Sequence, residues 1–149
     1  MIIQNEIRRT IVLPVSRDKV WDAITNPAKL VQWFGDRVEF DKLAVGEMML
    51  FGWEEDLFRG IIAGISPKYR FAYRWEAGKN NQETPFAEIH TTLVTFNLDE
   101  VPEGTRLTMV ETGFADLPEN LKLRQFEENT SGWNAELKDL QDYFLQLTE

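Results

Sequence analysis

Side chains that could carry out chemistry are few in this sequence. It has no cysteine and a single histidine, His90, so it offers no thiolate nucleophile and few ways to build a nitrogen-rich metal site. Neither a Gly-x-Ser-x-Gly elbow nor a phosphate-binding glycine loop occurs. We therefore predict that the protein holds no metal and no cofactor, and that any catalysis would use His90 or a carboxylate such as Glu111.

Alternation along two predicted strands turns His90 and Glu111 towards the same face. Residues on one face of a strand recur at every second position, so an inward-facing Phe96 implies that Thr92 and His90 also face inward. An inward-facing Met109 implies the same for Glu111. The two candidate groups should therefore share the inner side of the sheet.

The register between these strands decides whether the two groups can act together. We expect a hairpin that pairs Leu98 near Thr105. This register places Glu111 opposite Thr92 and diagonal to His90, within reach of a long side chain. In an apolar cavity the pair could supply an acid and a base near neutral pH. The alternative is a polar pair that only orients a ligand or satisfies itself.

Length and composition favour one globular domain over residues 1–149. Of the 149 residues, 43% are hydrophobic and 28% are charged, as in ordinary folded proteins. The formal net charge of −9 repels phosphate groups, which argues against nucleic acid as a partner. No apolar segment is long enough to span a membrane, and residues 1–10 lack the core of a signal peptide. We predict no membrane insertion and a cytoplasmic location.

Changes in hydrophobic period predict the order of the structural elements. Residues 7–13 are typical of a strand, and two short helices capped by Ser16 and Asn26 should follow it. Alternating apolar residues between turn-forming segments predict an antiparallel meander over residues 37–114. Helical spacing over residues 133–147 predicts a long amphipathic helix. We expect an α+β domain whose curved antiparallel sheet wraps around this C-terminal helix.

The inner face of the predicted sheet is strongly aromatic. Its large rings either fill the core between sheet and helix or wall a cavity that accepts an apolar molecule, and the two roles are compatible. Gly132, inside the terminal helix, predicts a close approach of the helix backbone to the sheet or, secondarily, a bend that opens the cavity. The predicted ligand-binding residues are Trp33, Met49, Phe51, Trp53, Phe71, Tyr73, Trp75, His90, Phe96, Met109, Glu111, Trp133 and Leu137.

Three stretches carry a resemblance to a known family. They are Arg9-Thr10-Ile11 with Val20-Trp21-Asp22-Ala23-Ile24-Thr25 and Trp33-Phe34, then Gly60-Ile61-Ile62 with Tyr69 to Trp75, and last Thr105-Arg106-Leu107-Thr108-Met109 with Glu111-Thr112-Gly113-Phe114 and Gly132-Trp133. In this order they resemble the START-like, or SRPBCC, superfamily, and more narrowly the family named after the activator of the heat-shock-protein-90 ATPase.

The resemblance implies a helix-grip fold and the binding of a hydrophobic molecule such as a lipid, a flavonoid or a polyketide. It also implies two alternatives: a stress-linked role as a chaperone partner, or a cyclase- or hydratase-like enzyme that uses His90 and Glu111. Many relatives carry His at the position of Glu111, so no role of that His transfers to this chain. We favour binding over catalysis, because binding needs only shape and desolvation.

Overall fold

One antiparallel sheet and three α-helices account for residues 5–148, the part of the chain that the computed structural model describes. The strands are β1 (Glu6–Leu13), β2 (Arg37–Glu39), β3 (Met48–Trp53), β4 (Asp56–Ser66), β5 (Arg70–Glu76), β6 (Thr91–Val101) and β7 (Gly104–Thr112). The α-helices are α1 (Arg17–Thr25), α2 (Pro27–Leu30) and α3 (Glu119–Thr148). Two short 3-10 helices are Phe86–Glu88 and Phe114–Asp116.

The seven strands lie in the order β1-β7-β6-β5-β4-β3-β2. From β2 to β7 each strand pairs with its neighbour in sequence, whereas β1 pairs with β7 at the far edge. All of these pairings are antiparallel, and α3 packs across the inner face of the curved sheet. The predicted α+β helix-grip architecture is therefore confirmed.

The two short helices begin at the predicted capping residues. The Ser16 hydroxyl accepts a hydrogen bond from the backbone N–H of Lys19 at 3.3 Å, and the Asn26 side chain accepts one from Ala28 at 3.1 Å. Because α2 ends at Leu30, the following turn, rather than the helix, carries Trp33 and Phe34. This turn places the Phe34 side chain beneath α3.

The apolar face of α3 covers the sheet along most of the helix. Trp133, Leu137, Leu140 and Phe144 are buried there. Leu147, which the helical spacing assigned to the same face, is 61% exposed, so the prediction is wrong at this position. The covering face ends at Phe144.

The β6–β7 hairpin has a tighter turn than the sequence predicts. Val101 pairs with Gly104, so only two residues form the turn. Gly104 has a φ of +141°, and a Cβ there would lie 2.2 Å from the carbonyl oxygen of Leu13, which explains the requirement for glycine. Leu98 consequently pairs with Leu107 and not near residue 105, so the predicted register is wrong by two residues. A slip of two keeps each side chain on its predicted face but changes its partner across the strands.

No helix within residues 5–148 is both long enough and apolar enough to cross a membrane.

Candidate ligand-binding site

A cleft of about 460 Å³ lies between α3 and the ends of β3, β4 and β5. Its aromatic walls are Phe34, Trp53, Phe58, Trp75 and Trp133. Its other lining residues are Asp56, Glu76, Gly78, Lys79, Arg124, Gln125, Glu128, Asn129, Gly132 and Glu136. The cleft thus combines a group of indole and phenyl rings with polar groups supplied mainly by α3.

The rings of the cleft pack against one another around Phe34. Phe34 stacks on Trp75 with ring centroids 5.9 Å apart and on Trp133 at 5.4 Å, both at an interplanar angle of 23°. Trp53 meets Phe34 edge-on at 5.0 Å. Phe34 and Trp133 are almost fully buried, whereas Trp53 and Trp75 keep part of their surface open. These two indoles therefore present the ring surface that a ligand could contact.

Glu111 is fully buried beneath the cleft and accepts hydrogen bonds from four side chains. Oε2 receives the Trp75 indole N–H at 2.9 Å, the Thr92 hydroxyl at 2.5 Å and the Asn129 amide at 2.9 Å. Oε1 receives the Trp133 indole N–H at 2.8 Å. One carboxyl group thus joins β5, β6 and α3 to β7 and fixes the orientation of two indole rings of the cleft.

Burial raises the pKa of the Glu111 carboxyl, because the charged form loses its hydration. The hydrogen bonds from Thr92, Trp75, Trp133 and Asn129 lower the pKa part of the way back. Among residues 5–148, no Lys, Arg or His forms an ion pair with Glu111. The four donors therefore stabilise the buried Glu111 carboxyl group in place of the cation that pairs with most buried carboxylates.

We expect the contribution of Glu111 to stability to fall as the pH rises. The raised folded-state pKa means that folding favours the protonated acid, so the contribution is complete below the usual pKa of 4.5 and is lost as the pH passes the folded-state value. Urea unfolding of the wild type and of Glu111→Gln between about pH 4 and about pH 8 measures this effect. The wild type should lose stability relative to the variant with rising pH. A relative gain would show that the hydrogen bonds outweigh burial.

Glu136 is a second carboxylate of the cleft that lacks a cation. It is half-buried, and its Oε1 accepts the Trp53 indole N–H at 3.0 Å. Burial raises its pKa, the charge of Asp139 adds to the rise, and the bonds from Trp53 and from the backbone of Gly35 oppose it. Within the described part of the chain, Glu136 has no ion-pair partner. Each of the three indole N–H groups in the cleft wall is thus bonded to a carboxyl group.

An ion pair holds the segment between β5 and β6 against the mouth of the cleft. The Arg59 guanidinium pairs with Glu76, whose side chain is completely buried, and Nη1 of Arg59 donates to the carbonyl oxygen of Thr84 at 2.6 Å. Lys79 pairs with Asp56 at 3.1 Å at the exposed rim. No three Asp, Glu or His side chains among residues 5–148 converge in a way that could hold a metal ion.

Three of the predicted ligand-binding residues line the cleft: Trp53, Trp75 and Trp133. Glu111 lies behind them and bonds two of them. Eight others are buried in the core and do not line this cleft: Trp33, Met49, Phe51, Phe71, Tyr73, Phe96, Met109 and Leu137. Alternation identifies the inner face, but only the position of α3 along that face decides which of its rings stay uncovered.

The prediction that His90 faces inward beside Glu111 is wrong. His90 is exposed and precedes the first residue of β6, so the alternation of that strand no longer orients it. Its backbone oxygen accepts a bond from Ala77, and its side chain makes none with Glu111. The two-residue slip adds to the separation, because Glu111 lies opposite Val94. His90 and Glu111 therefore do not form the acid–base pair that alternation predicts.

The polar half of the cleft was missed because it lies on α3. Gln125 and Asn129 precede Trp133 at intervals of four residues, so helical spacing extends the inner face of α3 to both. The Gln125 amide donates to Asn129 Oδ1 at 2.9 Å, which leaves the Asn129 N–H directed at Glu111. This spacing is the signal that could have identified them.

At Gly132 the backbone of α3 does not approach the sheet closely, although the position of this glycine inside the helix predicts that it should. A Cβ at this residue would meet no heavy atom within 4 Å, and the residue is exposed at the wall of the cleft. The prediction of tight packing is wrong, because the helix backbone here faces open space. The missing side chain instead widens the cleft.

The curved sheet that grips one long helix, with a cleft between them, defines a START-like protein of the helix-grip class. The sequence model of the family described as "Activator of Hsp90 ATPase homolog 1-like protein" matches residues 14–145. The chain belongs to this family, as the resemblance implied. No curated protein matches the sequence.

Solved structures share the fold at low sequence identity. MLL2253 from Mesorhizobium loti is 22% identical with a TM-score of 0.78, covering 97% of this chain and 98% of that one. The Aha1 dimer from Colwellia psychrerythraea is 18% identical with a TM-score of 0.70, covering 95% and 96%. DynU16, a putative protein in the dynemicin biosynthetic locus, is 22% identical with a TM-score of 0.74; 94% of this chain matches 47% of DynU16. These likenesses show the fold.

Proposed function

We propose that the protein binds a hydrophobic small molecule, such as a lipid, a flavonoid or a polyketide-like compound, in the cleft between α3 and the sheet. The observation that carries this proposal is a cleft of about 460 Å³ walled by indole and phenyl rings. Small-molecule sites typically have volumes of about 300–1,000 Å³ and mostly apolar walls with a few placed polar groups. The dynemicin biosynthetic locus of the fold neighbour DynU16 supports a small-molecule ligand.

The rings of the cleft are held in place before any ligand arrives. Glu111 fixes Trp75 and Trp133, and Glu136 fixes Trp53. A preformed site loses little side-chain freedom on binding, so more of the contact energy remains as affinity. Hydrogen bonds to the indole N–H groups also leave the ring surfaces free for contact with an apolar molecule.

Filling the space above Gly132 should weaken binding strongly. A phenylalanine side chain there would extend into the cleft, because Gly132 lines the cleft and no heavy atom beyond the adjoining helix backbone lies within 4 Å of its Cβ position. We expect Gly132→Phe to weaken binding of the neutral dye N-phenyl-1-naphthylamine at least about tenfold, measured by dye fluorescence. The matched control is Ser131→Phe, one residue along the same helix, exposed and outside the cleft.

The control should bind the dye like the wild type, with unchanged circular dichroism for both variants. Lipids, flavonoids and polyketides that displace the dye from the wild type would then narrow the ligand class. Equal dye affinity in Gly132→Phe and the wild type would contradict the proposed site. Absence of any dye binding to the wild type would contradict the proposed function.

A role as a chaperone partner is the second function that we propose, supported by the family match and by the net charge of −9. The ATPase turnover of the host's heat-shock-protein-90 homologue, measured with and without this protein, tests it. A change in turnover together with retention in a pull-down would support the role. Unchanged turnover without retention would contradict it. A stress-linked role, a cytoplasmic location and a single START-like domain over residues 1–149 remain predictions.

A further inference from the structure

The three indoles of the cleft share one arrangement: each N–H is bonded to a carboxyl group. Trp53 donates to Glu136 at 3.0 Å, and Trp75 and Trp133 donate to Glu111 at 2.9 and 2.8 Å. The faces of an indole ring carry negative partial charge, and they attract cations more strongly than those of other aromatic side chains. The partly open faces of Trp53 and Trp75 are therefore the natural contact for a positively charged group.

The charges that line the cleft leave an excess of carboxyl groups. The paired side chains are Asp56 with Lys79, Glu76 with Arg59, and Glu128 with Arg124. Glu136 lines the cleft without an ion-pair partner among residues 5–148, and Glu111, buried behind the indoles, also has none within this range. The side chains of Lys79 and Arg124 are each 71% exposed, so these cations lie at the rim and reach solvent.

Among residues 5–148, no side chain uses the ring faces of the cleft for a cation contact. Within the described residues, the cation–π contact that forms is Arg17 over Tyr69, at 4.1 Å from the ring centroid and away from the cleft. Carboxylates that lose water without gaining a cation are costly, and a ligand that supplies the cation offsets that cost. The arrangement therefore discriminates between ligands by charge as well as by shape.

We propose that the ligand carries a protonated amine or a quaternary ammonium group on its apolar body, held against Trp53 and Trp75 beside Glu136. This inference rests on the proposed function, because it assigns the charge of a molecule that binds in the same cleft. An anionic ligand such as a fatty acid would meet the unpaired carboxyl group of Glu136 and negative ring faces, so it should be rejected.

Two probes of the same shape test the inference in the wild type. Benzyltrimethylammonium and neopentylbenzene differ only in the replacement of the charged nitrogen by carbon. We expect the ammonium to displace N-phenyl-1-naphthylamine at about one-tenth of the concentration that neopentylbenzene needs. Equal potency, or a preference for the neutral probe, would overturn the inference while leaving the proposed function intact. Absence of dye binding would instead contradict the proposed function.

Two variants test whether the preference for the ammonium probe depends on Glu136. Glu136→Gln keeps an oxygen for the Trp53 N–H but removes the charge, so the ammonium should lose most of its advantage while the potency of neopentylbenzene stays the same. Glu128→Gln removes a lining carboxylate that is already paired with Arg124, and it should keep the advantage. An unchanged advantage in Glu136→Gln, or an equal loss in Glu128→Gln, would overturn the assignment.

Discussion

Replacing Glu111 by leucine should lower the free energy of unfolding by about 3 kcal/mol or more. The substitution keeps a side chain of similar size but removes the acceptor for Trp75, Thr92, Asn129 and Trp133. A buried donor left without an acceptor costs about 1–3 kcal/mol, and the four donors are held by three different elements, so they cannot all turn to water. Urea unfolding followed by circular dichroism measures the loss.

The control for this variant is the same chemical change at an exposed site. Glu127 lies on the outer side of α3, so Glu127→Leu should leave the stability almost unchanged. The stability loss of Glu111→Gln should fall between the losses of these two variants. The glutamine amide oxygen can still accept hydrogen bonds, but its NH2 group would face other donors. A stability loss in Glu111→Leu no larger than in Glu127→Leu would contradict the role assigned to the carboxyl group.

Replacing Arg59 by methionine should cost about 3–5 kcal/mol, because it leaves the Glu76 carboxylate buried without its cation. The Glu76 side chain is completely buried, and Arg59 is mostly so. The variant also removes the donor to the Thr84 carbonyl, so the segment between β5 and β6 loses one of its attachments to β4. Urea unfolding gives the stability, and hydrogen exchange of residues 77–90 reports the release of the segment.

Two further variants separate the buried charge from the loss of side-chain packing. Arg37→Met breaks the exposed pair with Glu39 and should change the stability little. The double variant Arg59→Met with Glu76→Met should be more stable than Arg59→Met alone, because no buried charge remains. A double variant as unstable as the sum of the two single variants would contradict the ion-pair explanation.

The elements of the fold were predictable because their signals are local. Ser16 and Asn26 cap helices through atoms two or three residues away, and alternation assigned Phe96 and Met109 to the inner face. The register of the β6–β7 hairpin could not be predicted from local signals. It depends on a turn of only two residues, whose geometry is set by the contact of Gly104 with the Leu13 backbone.

The candidate site was only partly predictable because it depends on where α3 crosses the sheet. Trp53 and Phe71 have the same inward pattern in the sequence, yet Trp53 lines the cleft and Phe71 is buried. Glu111 was identified as an inward carboxylate, but its partners lie on three other elements. The prediction for His90 was wrong for a different reason. Alternation applies only inside the strand, and β6 begins at Thr91.

The hydrogen bonds of Glu111 also bear on the order in which the protein folds and unfolds. They join residues 18 to 36 positions apart in the chain, and the bonds from Asn129 and Trp133 cannot form until the sheet and α3 have come together. Contacts completed after the transition state slow unfolding without speeding folding. We therefore expect the bonds between Glu111 and α3 to contribute chiefly to the lifetime of the native state.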